Sequence, residues 1–229
     1  GVNRDSLFIA VPYRSTPRTE ARKAATRERI LASALDHEAE GGYASAGVQA
    51  VAARAGVAVG TVYRHFPSKA RLFAEVFDRA AQRELDVVVS VSAPDGRPAD
   101  ERIAAAVEAF CRRALAGPAL AYAQIAEPVD PAVEEERLRL RRGYRDAFAR
   151  VLDEGMAAKE LPVHDSRTVA AALVGALAEA LVGPLSATNA RGRRSKEALV
   201  ATLVQFCLDA LPKPSSSTIA GGRIQRAAA

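Results

Sequence analysis

The stretch Gly56-Val-Ala-Val-Gly-Thr-Val-Tyr-Arg-His-Phe-Pro-Ser-Lys69 carries the strongest structural signal in this chain of 229 residues. After a turn glycine, Val62 and Phe66 recur at helical spacing, and Pro67 ends the run. Just upstream, Val48 to Ala55 has the length of a helix of about two turns. Two short helices joined by a glycine-containing turn are a candidate helix-turn-helix unit.

The second short helix, from about Val59 to Phe66, is expected to present its polar face to DNA. Val62 and Phe66 turn inward, which leaves the polar residues on or near the exposed side. A helix of this kind fits the major groove, which is about 12 Å wide. The pattern therefore predicts a recognition helix.

Four residues of that helix have side chains or backbone suited to DNA. Gly60 lets the backbone approach closely, and Thr61 can donate to a phosphate or touch a thymine methyl group. Tyr63 can place its hydroxyl on a phosphate, and the planar fork of Arg64 can pair bidentately with guanine. The alternative for both Tyr63 and Arg64 is an ordinary solvated surface residue.

Further DNA contacts are predicted outside these four residues. Lys69 lies in the first turn of the next helix, where its ammonium and backbone N–H groups can bind a phosphate. His65 is a candidate base reader, although packing or a hydrogen bond to its own helix would also explain a histidine there. The weaker phosphate candidates are Gln49, Arg54, Arg18, Arg22 and Lys23.

The segment from Gly56 to Lys69, followed by Leu72-Phe73, resembles the tetracycline-repressor (TetR) family of bacterial transcription regulators. The likeness is densest over Thr26 to Phe77 and includes Gly42-Tyr43 upstream. It implies a helix-turn-helix that binds DNA, with Tyr63 and Lys69 on the DNA backbone. It also implies a second helical domain that binds a small molecule and dimerises, and repression that an inducer relieves.

Two positions depart from the family's pattern. Many members carry a Ser or Thr cap at the starts of the second and third helices, where this chain has Gly47 and Ala58. Losing a side-chain cap to alanine typically costs about 1 kcal/mol, and losing it to glycine only a few tenths. Ser45 lies close enough in sequence to substitute in part, so the start of the second helix is open.

Composition predicts an all-α protein, and the helical runs and breaks along the chain predict about nine helices. Aromatic residues make up 5% of the chain, tryptophan is absent, and strand-like alternation is missing. The most apolar stretch, Val169 to Leu185, contains Glu179 and Gly183-Pro184, so we expect no membrane span and a cytoplasmic protein. Cys111 and Cys207 sit in apolar helical patterns and predict reduced core thiols rather than a disulfide or metal site.

The distribution of charged residues and of helix-breaking residues divides the chain into four segments. Residues 1–72 carry 11 Lys and Arg against 6 Asp and Glu, whereas residues 73–229 carry 21 of each, so the net charge of +5 arises in the first third. A basic segment beside a neutral remainder suits a polyanion such as DNA. We predict a flexible basic arm at 1–17, a helix-turn-helix domain at 18–67, a ligand-binding and dimerisation domain at 68–211, and a disordered tail at 212–229.

The second domain offers candidates for two kinds of contact. An apolar pocket with a polar anchor is predicted from Phe77, Phe110, Tyr122, Glu127, Arg141, Tyr144 and Phe148. A dimer surface on the last two helices is predicted from Val169, Leu173, Leu177, Leu181, Leu199, Leu203 and Phe206. Packing these helices across a two-fold axis would give a four-helix interface and place two recognition helices on a near-palindromic operator.

Other functions fit the sequence less well. An enzyme is disfavoured because His37-Glu38 lacks the second histidine of a zinc-protease helix, and Gly42 to Gly47 lacks the Lys-Ser/Thr of a phosphate loop. No metal or cofactor is predicted. An architectural DNA-binding protein without a ligand remains the alternative. Arginine outnumbers lysine 27 to 5, which is typical of GC-rich bacterial genomes.

Overall fold

The computed structural model describes residues 16–186 and 195–213, which fold into helices. Most of the predicted arm, the loop Arg191-Gly-Arg-Arg194 and most of the predicted tail lie outside these residues. In chain order the helices of the described part are α1 (Pro17–Ser45), α2 (Val48–Ala55), α3 (Val59–His65), α4 (Lys69–Val91), α5 (Ala99–Ala116), α6 (Pro118–Ile125), α7 (Pro131–Ala157), α8 (Ser166–Leu185) and α9 (Lys196–Asp209). The all-α prediction is confirmed.

Side-chain caps explain where several helices begin, because Ser and Asp are favoured at this position. The Ser68 side chain accepts a hydrogen bond from the backbone N–H of Arg71 at the start of α4. Asp165 does the same for α8 and Ser195 for α9. Each cap satisfies a backbone donor that the first turn of a helix leaves unpaired, and so fixes the first helical residue.

Helix α1 departs from the prediction at its C-terminal end. A glycine pair such as Gly41-Gly42 predicts the end of a helix, but the helical hydrogen bonding resumes and continues to Ser45. The interruption is confined to Gly42, whose φ of 76° and ψ of 177° are not helical. Glycine has no Cβ to oppose a positive φ, which allows a kink instead of a termination.

Two clusters of buried side chains hold the helices together. The N-terminal cluster joins α1 to α4 and one residue of α7, and its members include Ile30, Val51, Val62, Phe66, Leu72, Phe73, Phe77 and Val133. The C-terminal cluster contains residues from each of the helices α4 through α9. Its members include Ile103, Val107, Phe148, Leu152, Leu173, Leu177, Leu181 and Cys207. Helices α4 and α7 contribute to both clusters and connect them.

Helix α8 corrects one inference from the sequence. Over its 20 residues it is long and apolar enough to cross a membrane, by length and composition alone. The single Glu179 therefore does not exclude a span on those grounds. In the fold its leucines at 173, 177 and 181 pack into the C-terminal cluster, as in the core helix of a helical domain.

The two cysteines lie in the C-terminal cluster as free thiols. Burial raises the pKa of Cys111 to about 12 and that of Cys207 to about 11. Both sulfurs are therefore protonated at neutral pH and pack as small apolar groups, as the sequence predicts.

Candidate functional site

Helices α2 and α3 form the predicted helix-turn-helix around Gly56. This residue has φ 66° and ψ 40°, the left-handed conformation that commonly ends a helix. Its N–H donates to the carbonyl of Ala53, and that of Val57 donates to Ala52. On α3, Val62 is only 1% exposed, so this helix is anchored through its inner face.

The outer face of α3 carries the residues expected to contact DNA. Gly60 is exposed, and a Cβ added there would meet nothing within 4 Å, so packing inside this chain does not require glycine. Tyr63 is 47% exposed. The Arg64 Nη2 donates to the Thr61 hydroxyl over 3.0 Å, which holds the exposed guanidinium along the outer face. Donors thus stand on one side of a helix whose other side is buried.

His65 and Lys69 are less free than their neighbours on α3. The half-buried His65 ring lies tilted beside Phe66. Burial lowers the pKa of His65, and the positive charge of Arg27 lowers it further, so the imidazole is neutral at pH 7. The Lys69 ammonium lies 4.6 Å from the centroid of the Tyr43 ring and donates to the Tyr43 carbonyl at 3.4 Å.

The weaker phosphate candidates differ in how far their charges are already paired. Arg54 makes two hydrogen bonds of 2.9 Å to Glu40, which satisfies its guanidinium. Lys23 pairs with Glu20 at 3.1 Å. The remaining candidates are exposed: Arg18, Arg22 and Gln49.

Helices α2 and α3 both begin without a side-chain cap. Neither Gly47 nor Ala58 gives its helix a side-chain cap. Ser45 does not substitute, because its hydroxyl donates to the carbonyl of Gly42. Helix α2 still begins at Val48, as its apolar pattern predicts.

A cavity of about 310 Å³ lies among α5, α6, α7 and α8, with one residue from α4. Most of its wall is apolar; the larger side chains are those of Phe110, Leu120, Leu140, Tyr144, Phe148 and Leu177. Burial raises the pKa of Tyr144, so its phenol is neutral. The size is at the lower end of small-molecule sites, which run from about 300 to 1,000 Å³.

Four of the predicted pocket residues line this cavity: Phe110, Arg141, Tyr144 and Phe148. The other three lie elsewhere. Phe77 is buried in the N-terminal cluster, and Tyr122 packs against the C-terminal cluster away from the cavity wall. The Glu127 carboxylate instead accepts hydrogen bonds from the backbone of α1. Helical periodicity shows that such residues face inward, but not which space they face.

Polar groups in the cavity wall are few, and most are paired. Arg113 binds Glu84 through two hydrogen bonds, one of them 2.7 Å, and Arg141 donates to the carbonyl of Ile125. Gln124, which the sequence analysis missed, is 9% exposed, and its amide nitrogen is buried without a partner. An amide in an otherwise apolar helix was the only signal that could have indicated it.

The predicted dimer residues fall into two groups. Leu173, Leu177, Leu181 and Leu203 are at most 7% exposed and belong to this chain's own core, so they are not available to a partner. Val169 and Leu199 are half-buried, and Phe206 is 51% exposed. The outer face of α8 carries the small residues Ala172, Gly175, Ala176 and Ala180 together with the exposed Glu179.

Comparison with protein-family models decides the family. A model described as "Bacterial regulatory proteins, tetR family" matches residues 30–76, and one described as "Tetracyclin repressor-like, C-terminal domain" matches residues 96–211. The chain belongs to the TetR family. It is a DNA-binding, ligand-responsive transcriptional regulator.

Individual relatives agree with the TetR assignment. The chain is 30% identical to the HTH-type transcriptional repressor KstR of Mycobacterium tuberculosis over 192 residues, which cover 83% of this chain and 86% of KstR. It is 47% identical to KstR of Rhodococcus jostii over 57 residues, 25% of this chain and 27% of that relative. TetR-family members are regulators rather than enzymes.

Among solved structures, FadR of Bacillus subtilis in complex with stearoyl-CoA superimposes with a TM-score of 0.68 at 20% identity. The match covers 80% of this chain and 98% of FadR. At that identity the likeness concerns the fold. It shows that the helices of this chain are arranged as they are in FadR.

Proposed function

We propose that this protein is a cytoplasmic repressor that binds a near-palindromic operator as a homodimer and leaves it when a small apolar molecule enters the cavity. One observation carries the proposal. Helix α4 begins four residues after the end of α3 and reaches the cavity wall at Glu84, so one rigid element joins the recognition helix to the ligand site.

The outer face of α3 supports specific binding to DNA. The exposed Tyr63 hydroxyl can reach a phosphate, which positions the helix without reading sequence. Arg64, held by Thr61, can present its fork to guanine in the major groove. Gly60 lets the backbone come close, since no group of this chain occupies the space beside it.

The exposed face of α8 and α9 supports a homodimer. Small residues on α8 permit close approach of a second helix, and Phe206 on α9 supplies a large apolar side chain that is half exposed. Packing two copies of this face gives a four-helix interface. The two recognition helices would then meet successive major grooves, about 34 Å apart.

The chemistry of the cavity indicates the class of inducer. Its wall is apolar, and its arginines at 113 and 141 already have partners. The Gln124 amide nitrogen is a buried donor in this wall that has no hydrogen-bond partner. An apolar molecule with a carbonyl oxygen, such as an acyl compound, would fill the space and pair that donor. The stearoyl-CoA bound to FadR contains an apolar acyl chain that ends in such a carbonyl group.

Repression and induction then follow from thermodynamic linkage. A ligand that fits only the conformer whose recognition helices are wrongly spaced weakens the binding of DNA. Bound DNA weakens the binding of that ligand by the same factor. Couplings of this kind typically amount to about 1–3 kcal/mol. No chemical reaction is required.

A binding assay over a range of salt concentrations tests the proposal. Fluorescence anisotropy would compare the protein's own upstream DNA with a scrambled duplex, using the wild type, Tyr63→Ala and the control Arg150→Ala on the exposed face of α7. We expect tight binding to the upstream DNA that only Tyr63→Ala weakens. Equal, salt-limited binding to both duplexes would contradict a specific operator there and favour an architectural protein.

A further inference from the structure

The kink in α1 is held by a side chain from a distant part of the chain. At Gly42 the helix breaks, and when it resumes, the first N–H groups after the break lack partners within the helix. The Glu127 carboxylate supplies them: Oε2 accepts from the Tyr43 N–H at 2.9 Å, and Oε1 accepts from the Ala44 N–H at 3.0 Å. Glu127 lies two residues beyond the end of α6.

The geometry leaves room for nothing larger than glycine at the break. A Cβ at position 42 would lie 2.9 Å from Glu127 Oε2, and the positive φ there strains any other residue. Hydrogen bonds to a charged acceptor are stronger than those between neutral groups. The contact is therefore a specific clamp between α1 and the segment after α6.

Arg137 holds the backbone of the segment that carries Glu127. Its guanidinium is buried on α7 and donates to the carbonyl of Ala123 at 2.9 Å and to that of Glu127 itself at 2.5 Å. A further bond of 2.7 Å to Glu134 neutralises its charge. The end of α6 and the Glu127 backbone consequently move together.

The same short segment reaches the cavity. Gln124 and Ile125, on the last turn of α6, line the cavity wall, and Glu127 follows two residues later. A ligand that displaces this turn would therefore displace the carboxylate that holds α1.

On its other side the clamp leads to the recognition helix through Tyr43. The Tyr43 N–H is held by Glu127, and its hydroxyl donates to Asp130. Its ring and carbonyl both contact the ammonium of Lys69, the first residue of α4, four residues after the end of α3. The contacts form an unbroken path from the cavity wall to the helix-turn-helix.

We propose that Glu127 is the positioning residue that couples occupancy of the cavity to the orientation of the DNA-binding helices, through its two hydrogen bonds to the kink of α1. This inference rests on the proposed function. The cavity and the DNA-binding helices are then connected in two ways, through α4 and through α1. The connection through α1 depends on the Glu127 carboxylate.

The test is a double-mutant cycle that needs no identified ligand. Ala114→Phe fills the cavity from α5, where Ala114 is 8% exposed and lines the wall. It would be combined with Glu127→Ala, with the isosteric Glu127→Gln, and with the control Glu135→Ala, which removes the same charge from an exposed position on α7. Thermal unfolding would show which variants fold. If Glu127→Ala does not fold, the test can be made with Glu127→Gln.

Two readouts separate this inference from the proposed function. Hydrogen exchange at the Tyr43 and Ala44 amides needs no DNA, and it should become faster when Ala114→Phe fills the cavity. Operator affinity should fall at least about fivefold with Ala114→Phe in the wild-type and Glu135→Ala backgrounds, but less than about twofold in the Glu127 variants, as expected if the clamp carries a typical coupling energy.

Unchanged amide exchange on filling the cavity would overturn the inference, whatever the protein does on DNA. So would an equal loss of operator affinity in all backgrounds, because coupling would then run through α4 alone. Failure of the wild type to bind its upstream DNA would instead count against the proposed function, and the exchange readout would still decide the clamp.

Discussion

The ammonium of Lys69 lies 4.6 Å above the centroid of the Tyr43 ring and donates to that residue's carbonyl oxygen at 3.4 Å. The contact joins the start of α4 to the last turn of α1. Lys69 is predicted to bind a DNA phosphate, and an ammonium has three donors, so one can serve Tyr43 while others face the DNA. The tyrosine thus orients a cation beside the recognition helix.

Replacing Lys69 should therefore change the salt dependence of operator binding. Lys69→Ala is expected to weaken binding to all duplexes alike and to reduce the slope of log affinity against log salt by about 1, as for the loss of one phosphate contact. Anisotropy titrations at several salt concentrations would measure the slope. Lys69→Arg keeps the charge and should retain it. An unchanged slope in Lys69→Ala would restrict Lys69 to a structural role.

Gln124 should determine which apolar molecules bind in the cavity. Wild type is expected to bind 2-decanone more tightly than decane, because only the ketone can pair the buried amide donor. Gln124→Leu should abolish that preference, which we expect to be about tenfold from a hydrogen bond of 1–2 kcal/mol. Displacement of a fluorescent apolar dye would measure both affinities, with Gln49→Leu as the exposed control. The same preference in Gln124→Leu would assign ligand recognition to other residues.

Glu38 should make the protein less stable as the pH rises. Its side chain is 1% exposed, and burial, followed by the charge of Glu127, raises the pKa of this carboxyl to about 7. The folded state therefore holds the proton more tightly than the unfolded state, whose pKa is near 4.3. Stability from this group is full below about pH 4 and is lost as the pH rises through about 7.

Glu38→Gln removes that titration while keeping the shape of the side chain. Compared with wild type, it should be more stable at pH 8 by up to about 3 kcal/mol, and the difference should shrink towards pH 5. Urea unfolding at a series of pH values would measure it, with Glu135→Gln as the exposed control. A difference independent of pH would show that Glu38 does not titrate in this range.

Phe206 should be the most sensitive position in the dimer. A half-exposed phenylalanine on the last helix of the described residues has the character of an interface anchor, and losing such an anchor typically costs about 2 kcal/mol or more. Phe206→Arg is expected to raise the dimer dissociation constant by about thirtyfold or more. Sedimentation velocity would measure it. Val163→Arg, at a 92% exposed position, is the control, and equal behaviour of the two variants would place the interface elsewhere.

The sequence predicted the helices well because local signals define their ends. Ser68, Asp165 and Ser195 cap helices that begin one residue later, and Gly56 adopts the left-handed conformation that its place in the turn requires. Gly42 shows the limit of such signals. A glycine there indicates a break, but only the carboxylate of Glu127, 85 residues away, determines that the helix resumes.

The candidate sites were predicted less completely because periodicity does not identify a neighbour. Leu177 and Leu181 recur along a helix that is apolar nearly all round, so the sequence cannot distinguish the face against the core from a face towards a partner. Phe77 is inward on α4 but belongs to the N-terminal cluster rather than to the cavity. By contrast, Val62 and Tyr63 fell on the predicted sides of α3, because a short helix with one apolar stripe allows a single orientation.

Methylation protection of the upstream DNA would show whether α3 recognises an operator, because dimethyl sulfate modifies guanine N7 in the major groove, which is where α3 is proposed to lie. Binding of two α3 helices to an operator predicts two protected patches one helical turn apart, with Arg64→Ala restoring reactivity at a guanine in each. Protection spread without sequence preference, or the same pattern in Arg64→Ala and Tyr63→Ala as in wild type, would contradict recognition of an operator by this helix.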